Sequence, residues 1–388
     1  MTPGARLQAA AEVLDRIAAG TPAEQALLGW SRGARYAGSK DRAAVRDHVF
    51  DVLRRWRSTA AQGGGESGRA RLIGLLRQQG VVPESLFTGE GHAPAALSDD
   101  EQAAGRAPEG AEARDLPDWI DTLLAESLGD AAGAAAEALR ERAPVFLRVN
   151  TLRGDLATAQ AALAGEGIET RPHPLAAGAL EVTAGARRIA QSQAFAEGLV
   201  ELQDVASQAV VAALPLVPGM RVLDYCAGGG GKALAMAARL QGSKGGEVAA
   251  HDADPRRMSD LPARAKRAGA RVQAVAKPKG PYDLVLCDVP CSGSGAWRRS
   301  PEGKWRLTPE RLDELTGVQA GILDIATRLV TPGGLLAYAT CSMLAVENAA
   351  QIEAFLARHP GWTLEQQRQF VPGDGGDGFF SAQLRRPA

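Results

Sequence analysis

The chain has 388 residues, and its 44 Lys and Arg residues against 45 Asp and Glu residues leave a net charge of −1. This balance excludes a chain that is basic throughout, and the length favours about two or three domains. No apolar run approaches the roughly 18 residues of a transmembrane helix, and residues 1–20 lack the apolar core of a signal peptide, so we expect a cytoplasmic protein without a membrane partner.

Apolar residues at helical spacing mark the start of the chain. They predict helices over Arg6–Ala19, Arg42–Trp56 and Leu72–Gln78. Residues 1–60 hold 10 basic and 6 acidic side chains, and this surplus suits either contact with phosphates or a solvated helix face. Residues 89–110 are rich in Gly, Ala and Pro and have little periodicity. We therefore predict an all-α domain over residues 1–88 and a linker over residues 89–115.

Short strands and helices mix in the middle of the chain. A helix is predicted over Trp119–Leu128 and a strand over Val145–Thr151, with shorter strands near residues 180–182 and 199–202. This mixture predicts a small α+β subdomain over residues 116–205.

Strands and helices alternate regularly from residue 206 onward. The segment Tyr282–Cys287 is almost continuously apolar, as a parallel sheet requires. The alternation predicts a Rossmann-like, doubly wound α/β sheet over residues 206–388. The predicted strands are 221–224, 247–251, 282–287, 335–340 and 378–384, and the predicted helices are 232–240, 261–268, 308–329 and 346–357.

A glycine-rich loop follows the first of these strands and reads Cys226-Ala227-Gly228-Gly229-Gly230-Gly231-Lys232. Such a loop brings the backbone close to a ligand at the carboxyl end of the sheet. NAD and S-adenosylmethionine both fit, whereas a P-loop is disfavoured because Ala233 replaces the required Ser or Thr. Asp252, at the end of the next strand, can accept ribose hydroxyls or cap a helix, although Asp254 before Pro255 suits the cap better.

Two of the four cysteines lie in polar loops directly after predicted strands. Cys291 lies in Asp288-Val-Pro290-Cys291-Ser-Gly-Ser-Gly, and Cys341 lies in Thr340-Cys341-Ser342. Cys287, within an apolar strand, suits a packing position. Because parallel strands end along one edge of a sheet, both loop thiols can face one pocket. The chain has no CxxC pair and no His at zinc-ligand spacing, so covalent catalysis is favoured over a metal site.

These segments resemble the RsmB/NOP (Sun-type) RNA cytosine-5 methyltransferases, and the resemblance extends over about Arg148–Arg386. The two thiol segments and the upstream glycine loop carry most of it. The N-terminal helices resemble the NusB-like RNA-binding domain of bacterial members. Further matching segments are Leu147-Arg-Val-Asn-Thr151, Gln203-Asp-Val-Ala-Ser207, Arg298-Arg-Ser-Pro-Glu-Gly-Lys-Trp305 and Asp377-Gly-Phe-Phe-Ser-Ala.

The resemblance implies methyl transfer from S-adenosylmethionine to carbon 5 of a cytosine in RNA. It implies small-subunit ribosomal RNA as the first candidate partner and transfer RNA as the second, and a monomeric enzyme without a metal. Cys341 would be the nucleophile, and Cys291 would aid release of the product. The implied cofactor residues are Cys226, Ala227, Gly228, Gly229, Gly230, Gly231, Lys232, Asp252, Arg257 and Asp288.

Two departures from the family pattern concern the cofactor. The family loop usually reads Cys-Ala-Ala-Pro-Gly-Gly-Lys-Thr, and the additional glycines here predict a more flexible loop before binding. The family also places an acid near the third strand to hold the adenine, and Val272–Lys277 contains none.

Two other functions stay open. A NAD-dependent oxidoreductase would use the glycine loop and Asp252, but it leaves Cys291 and Cys341 unexplained. A non-catalytic RNA-binding or ribosome-assembly factor would bind RNA without needing Cys341.

Overall fold

The computed structural model describes residues 1–241 and 245–388. The chain forms two compact units, of which the first comprises Met1–Arg142 and Ala296–Leu307 and the second comprises Ala143–Gly295 and Thr308–Ala388. Within the described residues, no helix is both long and apolar enough to cross a membrane.

Helices and strands are numbered separately in chain order. The helices are α1 Pro3–Ala18, α2 Ala23–Gly33, α3 Ser39–Arg54, α4 Trp56–Gly63, α5 Gly68–Gln78, α6 Asp99–Ala103, α7 Gly110–Ala113, α8 Asp118–Leu128, α9 Ala132–Leu139, α10 Leu156–Gly165, α11 Gln193–Ala196, α12 Val205–Ala212, α13 Gly231–Gln241, α14 Leu261–Ala268, α15 Glu302–Arg306, α16 Pro309–Ala326 and α17 Ala349–Arg358. The strands are β1 Val145–Val149, β2 Glu169–Pro172, β3 Ala179–Ala184, β4 Val200–Leu202, β5 Arg221–Asp224, β6 Glu247–Ala250, β7 Gln273–Ala274, β8 Tyr282–Asp288, β9 Val330–Thr340, β10 Thr363–Phe370 and β11 Phe379–Arg385.

The first unit is helical, which confirms the predicted all-α N-terminal region. Apolar side chains from α1, α2, α3 and α5 form its core. The segment 296–307, which lies far along the sequence, is part of this unit. Its Lys304 ammonium donates to the Arg54 carbonyl over 2.9 Å, and its Trp305 indole donates to the Leu53 carbonyl over 2.8 Å. These bonds satisfy carbonyl groups at the end of α3 that have no partner within the helix.

Residues 89–110 are more ordered than the predicted loop or linker. They contain α6, where Ser98 and Glu101 form a reciprocal capping box. The Glu101 carboxylate also pairs with Arg69 over 2.6 Å, and Arg77 donates to the Glu101 carbonyl over 2.7 Å. Bonds to α5 therefore hold a segment whose composition alone predicts no structure.

A four-stranded antiparallel sheet opens the second unit, with strand order β2-β3-β1-β4. The predicted strand Val145–Thr151 ends at Val149, because the chain enters a turn at Thr151. The Asn150 side-chain amide donates to the carbonyls of Gly198 and Ala268, each over 2.8 Å. One buried side chain thus fastens the small sheet to α14.

The large sheet of the second unit has seven strands in the order β10-β11-β9-β8-β5-β6-β7. Strands β5 to β9 are parallel to one another. Strand β11 pairs in the antiparallel direction with both of its neighbours, β9 and β10. Successive residues of β8 alternate between two apolar cores, with Leu284 and Leu286 on one face and Val285 and Cys287 on the other. This arrangement confirms the predicted Rossmann-like sheet. The sequence analysis missed β10, because it is an exposed edge strand of mostly polar residues.

Candidate active site

Two free thiols meet at the carboxyl ends of β8 and β9. These strands are parallel neighbours, with Asp288 opposite Ala339. Cys291 and Cys341 follow them, and their Sγ atoms lie 3.4 Å apart. Both side chains are partly exposed, and neither forms a disulfide. The structure therefore brings together the two cysteines that the sequence singles out.

A buried carboxylate, that of Glu347, joins the two thiol loops. It accepts the Ser292 N–H over 2.7 Å and the Ser292 hydroxyl over 2.5 Å from the first loop. It accepts the Ser342 hydroxyl over 2.5 Å from the second loop and the Gln319 amide over 3.0 Å from α16. Glu347 is fully buried, so these charge-assisted bonds act away from competing water. The residues that flank each thiol are thereby fixed relative to one another.

A close backbone approach fixes the end of the first thiol loop. Gly295 donates its N–H to the Cys341 carbonyl and accepts the Gly378 N–H, each over 3.0 Å. A Cβ atom at Gly295 would lie only 1.8 Å from the Gly378 carbonyl oxygen. Because that oxygen belongs to the backbone, only glycine fits at position 295.

An ion pair links the glycine loop to the end of β8. The Lys232 ammonium lies 2.6 Å from Asp288 Oδ2. Burial lowers the pKa of Lys232, but the neighbouring Asp288 charge, its hydrogen bond and the Asp224 charge outweigh burial, and the net pKa is raised. Lys232 therefore stays protonated and holds Asp288 beside the loop.

Asp224, at the end of β5, is the other acid next to Lys232. Its side chain is buried, and neither oxygen makes a hydrogen bond of ordinary geometry. Burial and the Asp288 charge raise the pKa of Asp224 to about 7, although the Lys232 charge and the Ala233 N–H act in the opposite direction. A carboxyl group of this kind is an acceptor that the protein itself leaves unfilled.

Cys291 holds its thiol proton firmly. The hydrogen bond with Cys341, followed by burial, raises the pKa of Cys291 well above that of a free thiol. Cys291 therefore keeps its proton and can donate it to the Cys341 sulfur. Burial likewise raises the pKa of Cys226 and Cys287. Cys287 lies in the core, as predicted for a packing residue.

The predicted cofactor residues also come together. The glycine loop turns through positive φ at Gly228 (+51°) and Gly230 (+81°). The Gly228 N–H donates to Asp252 Oδ2 over 2.9 Å, and the Arg257 guanidinium lies 3.3 Å from that oxygen. Asp254 caps the next turn by accepting the Arg256 N–H over 3.1 Å, as its position before a proline suggests.

This end of the sheet fits a nucleoside cofactor. The loop backbone is exposed at Gly229, and the carboxyl groups of Asp224 and Asp252 supply acceptors beside it. The rings of Tyr225 and His251 lie 5.0 Å apart at the ends of β5 and β6. Strand β7 carries no acid, so an adenine would have to be held by other groups. Across the described residues, no three His, Cys, Asp or Glu side chains are arranged to hold a metal.

Sequence reasoning missed the residues that support the thiols. Besides Glu347, Asn348 accepts the Thr340 hydroxyl over 2.6 Å and donates to the Ser342 carbonyl over 3.0 Å. The available signal was an acid and an amide, Glu347-Asn348, directly after the apolar stretch Met343–Val346.

Comparison with known proteins assigns this chain to a family. Residues 211–385 match the family described as 16S rRNA methyltransferase RsmB/F, and residues 116–187 match an RsmF/B-like ferredoxin-like domain. Ribosomal RNA small subunit methyltransferase B from Xanthomonas campestris is 34% identical over an alignment of 337 residues, and the match covers 81% of this chain and 73% of that protein. This chain belongs to the RsmB/F family. The protein of the same name from Xylella fastidiosa is 36% identical over 69% of this chain and 66% of its own length.

The fold of this RsmB/F protein is similar to that of a protein whose structure has been solved. The crystal structure of PH0851 has a TM-score of 0.77 and covers 100% of this chain and 99% of its own, with 24% identity. At that identity the likeness shows the fold alone. Membership of this methyltransferase family confirms S-adenosylmethionine as the cofactor and makes the NAD-dependent alternative wrong.

Proposed function

We propose that this RsmB/F protein methylates carbon 5 of a cytosine in small-subunit ribosomal RNA, with Cys341 as nucleophile. The observation that carries the proposal is the pair of thiols 3.4 Å apart at the ends of two parallel strands. One thiol can form a covalent bond with the base, and the other can protonate that sulfur when the bond breaks. The names of the relatives from Xanthomonas campestris and Xylella fastidiosa support small-subunit ribosomal RNA as the substrate.

Covalent attack is needed because C5 of a neutral cytosine is a weak nucleophile. S-adenosylmethionine supplies the methyl group from a sulfonium centre. The Cys341 thiolate adds to C6, and the displaced C5=C6 electron pair then forms the bond from C5 to the methyl carbon. The bond from that carbon to the sulfonium sulfur breaks in the same step, its electron pair stays on sulfur, and S-adenosylhomocysteine is released. Loss of the C5 proton to solvent restores the double bond and breaks the bond between sulfur and C6. Cys291 protonates the departing Cys341 sulfur and regains a proton afterwards.

In this mechanism Asp288 orients the base, and Lys232 holds Asp288. Lys232 occupies Asp288 Oδ2, which leaves Oδ1 free to accept from the exocyclic amino group of cytosine. A carboxylate held by an ammonium is a good acceptor for that group. The target base must leave its stack to reach these residues, so we expect an unpaired or flipped cytosine.

The test is transfer of a labelled methyl group from S-adenosylmethionine to unmodified RNA, with identification of the methylated base. Wild type is expected to form 5-methylcytosine, Cys341→Ala none, and Cys291→Ala is expected to accumulate protein joined to RNA. Cys287→Ala, which alters a thiol away from the site, is the matched control. If Cys341→Ala stays active and Cys291→Ala is inactive, the nucleophile is Cys291. If wild type binds RNA but transfers nothing, the non-catalytic factor is the better description.

A further inference from the structure

One arginine outside the glycine loop donates a hydrogen bond to the backbone of that loop. Arg264 of α14 donates one guanidinium nitrogen to the Gly229 carbonyl. Its other terminal nitrogen lies 3.0 Å from the Glu201 carboxylate. Glu201 belongs to β4 of the small sheet, and only 2% of its surface is exposed. A chain of contacts therefore runs from the small sheet through Arg264 to the exposed residue of the loop.

The loop needs such a contact because its own sequence gives it little rigidity. Four consecutive glycines, Gly228–Gly231, have many accessible conformations when they are free. A loop that is ordered only on binding loses this freedom at that moment, which weakens affinity. A Cβ atom at Gly229 would lie 3.0 Å from the Arg264 guanidinium. The arginine thus occupies the space that a side chain at position 229 would fill.

We propose that Arg264 is a positioning residue for the cofactor, and that it fixes the glycine loop before S-adenosylmethionine binds. Glu201 holds the guanidinium in place, and Arg264 restrains the loop backbone through the Gly229 carbonyl. The proposal rests on the family's cofactor site and is independent of which cysteine is the nucleophile.

The chain supplies its own matched control. Arg267 lies one helical turn further along α14 and pairs with the other oxygen of Glu201. Its guanidinium stacks over the Phe195 ring at 4.4 Å and makes no hydrogen bond to the glycine loop. Removal of Arg267 therefore disturbs Glu201 to a similar degree and leaves the contact with Gly229 in place.

The experiment uses the full chain without RNA. Calorimetry measures S-adenosylhomocysteine binding, and hydrogen exchange measures the amides of residues 226–231. Arg264→Ala is expected to bind about fivefold to tenfold more weakly, with faster exchange in the loop, whereas Arg267→Ala stays within about twofold of wild type. Gly229→Ala combined with Arg264→Ala should recover more than half of the lost affinity on a logarithmic scale. The added methyl group fills the vacated space, and the φ of Gly229 is not positive.

Equal weakening by Arg264→Ala and Arg267→Ala would overturn the proposal, because both arginines would then serve only to join α14 to the small sheet. Wild-type affinity and exchange in Arg264→Ala would also overturn it. If that variant does not fold, Arg264→Lys keeps the charge beside Glu201 and should give a smaller loss of the same kind. No readout involves RNA, so failure of the proposed methylation leaves these results unchanged.

Discussion

Two carboxyl groups are buried at the same end of the large sheet, and their surroundings differ. Glu347, between the thiol loops, accepts four hydrogen bonds from Ser292, Ser342 and Gln319. Asp224, beside the glycine loop, makes none of ordinary geometry, and its pKa is raised to about 7. The protein itself supplies the hydrogen-bond donors for Glu347 but none of ordinary geometry for Asp224.

The difference matches the roles that we propose for the two regions. A covalent reaction requires its groups to be held in one geometry, because small misplacements of the reacting atoms cost much of the rate. A cofactor loop must admit one ligand and release another, and contacts from Asp252 and Arg264 hold its backbone. Hydrogen bonds within the protein therefore complete the carboxylate at the thiol loops, whereas the Asp224 carboxyl group beside the glycine loop has no such partner of ordinary geometry.

The largest expected effect on stability comes from removing Glu347, the carboxylate that bonds both thiol loops. Glu347→Ala removes the acceptor of four hydrogen bonds that three residues donate, and we expect a loss of about 3–5 kcal/mol in the free energy of unfolding. Urea denaturation measures it. Glu353→Ala, at an exposed position of the following helix α17, is the control and should change stability by less than about 0.5 kcal/mol. A loss below about 1 kcal/mol for Glu347→Ala would mean that the two regions do not differ as described.

Asp224→Asn tests whether the carboxyl group beside the glycine loop makes stability depend on pH. The pKa of about 7 in the folded protein lies above the value of about 3.9 in an unfolded chain, so the folded state holds the additional proton between these values. Wild-type stability should therefore fall as pH rises from about 4 to about 7, by on the order of 2–4 kcal/mol from this group. The variant should lack that part of the slope. Identical slopes in thermal unfolding would show that Asp224 has no raised pKa.

Gly295→Ala tests the backbone contact that fixes the thiol loop. Since the new methyl group would lie 1.8 Å from a backbone oxygen, the loop must shift, at a cost of about 1–3 kcal/mol. Gly317→Ala is the matched control, because that glycine lies in α16 with open space around it. It should stabilise the protein by about 0.5–1 kcal/mol. Similar stabilities for the two variants would contradict the close approach described here.

The smallest effect is expected at Arg257. Its guanidinium pairs with Asp252, but its side chain is 58% exposed, so solvent screens the interaction. We expect Arg257→Ala to change stability by about 0–1 kcal/mol, and to weaken cofactor binding by less than Arg264→Ala does. Calorimetry at low and high salt measures the difference. A loss larger than that of Arg264→Ala would place the main support of the loop at Asp252.

The sequence was most informative where local pattern and topology coincide. The strands before Cys291 and Cys341 are apolar and parallel, so their ends had to lie along one edge, and the thiols are in contact as a result. The same reasoning located the glycine loop and Asp252. Helix α14 was predicted at its observed bounds because its apolar residues recur at helical spacing.

The remaining features depend on contacts that spacing does not encode. Glu347 serves both thiol loops only because β8 and β9 are neighbours, and the pairing of Arg264 with Glu201 joins residues far apart in sequence. Edge strand β10 has no alternation of apolar and polar residues, because its first six residues are exposed on both faces of the strand. The roles proposed for Cys341 and Cys291, and the predicted domain boundaries, stay predictions.

The segment 296–307 has a consequence for synthesis of the chain on the ribosome. The helical unit includes this segment, so it cannot be complete when residue 142 has emerged. The carbonyls of Leu53 and Arg54 receive their partners only after Trp305 and Lys304 have been made, by which time four of the seven strands of the large sheet have been made. A gene fragment that ends at residue 142 would encode a helical unit that lacks the segment 296–307. Exchange of this unit between relatives therefore requires two separate pieces of the gene.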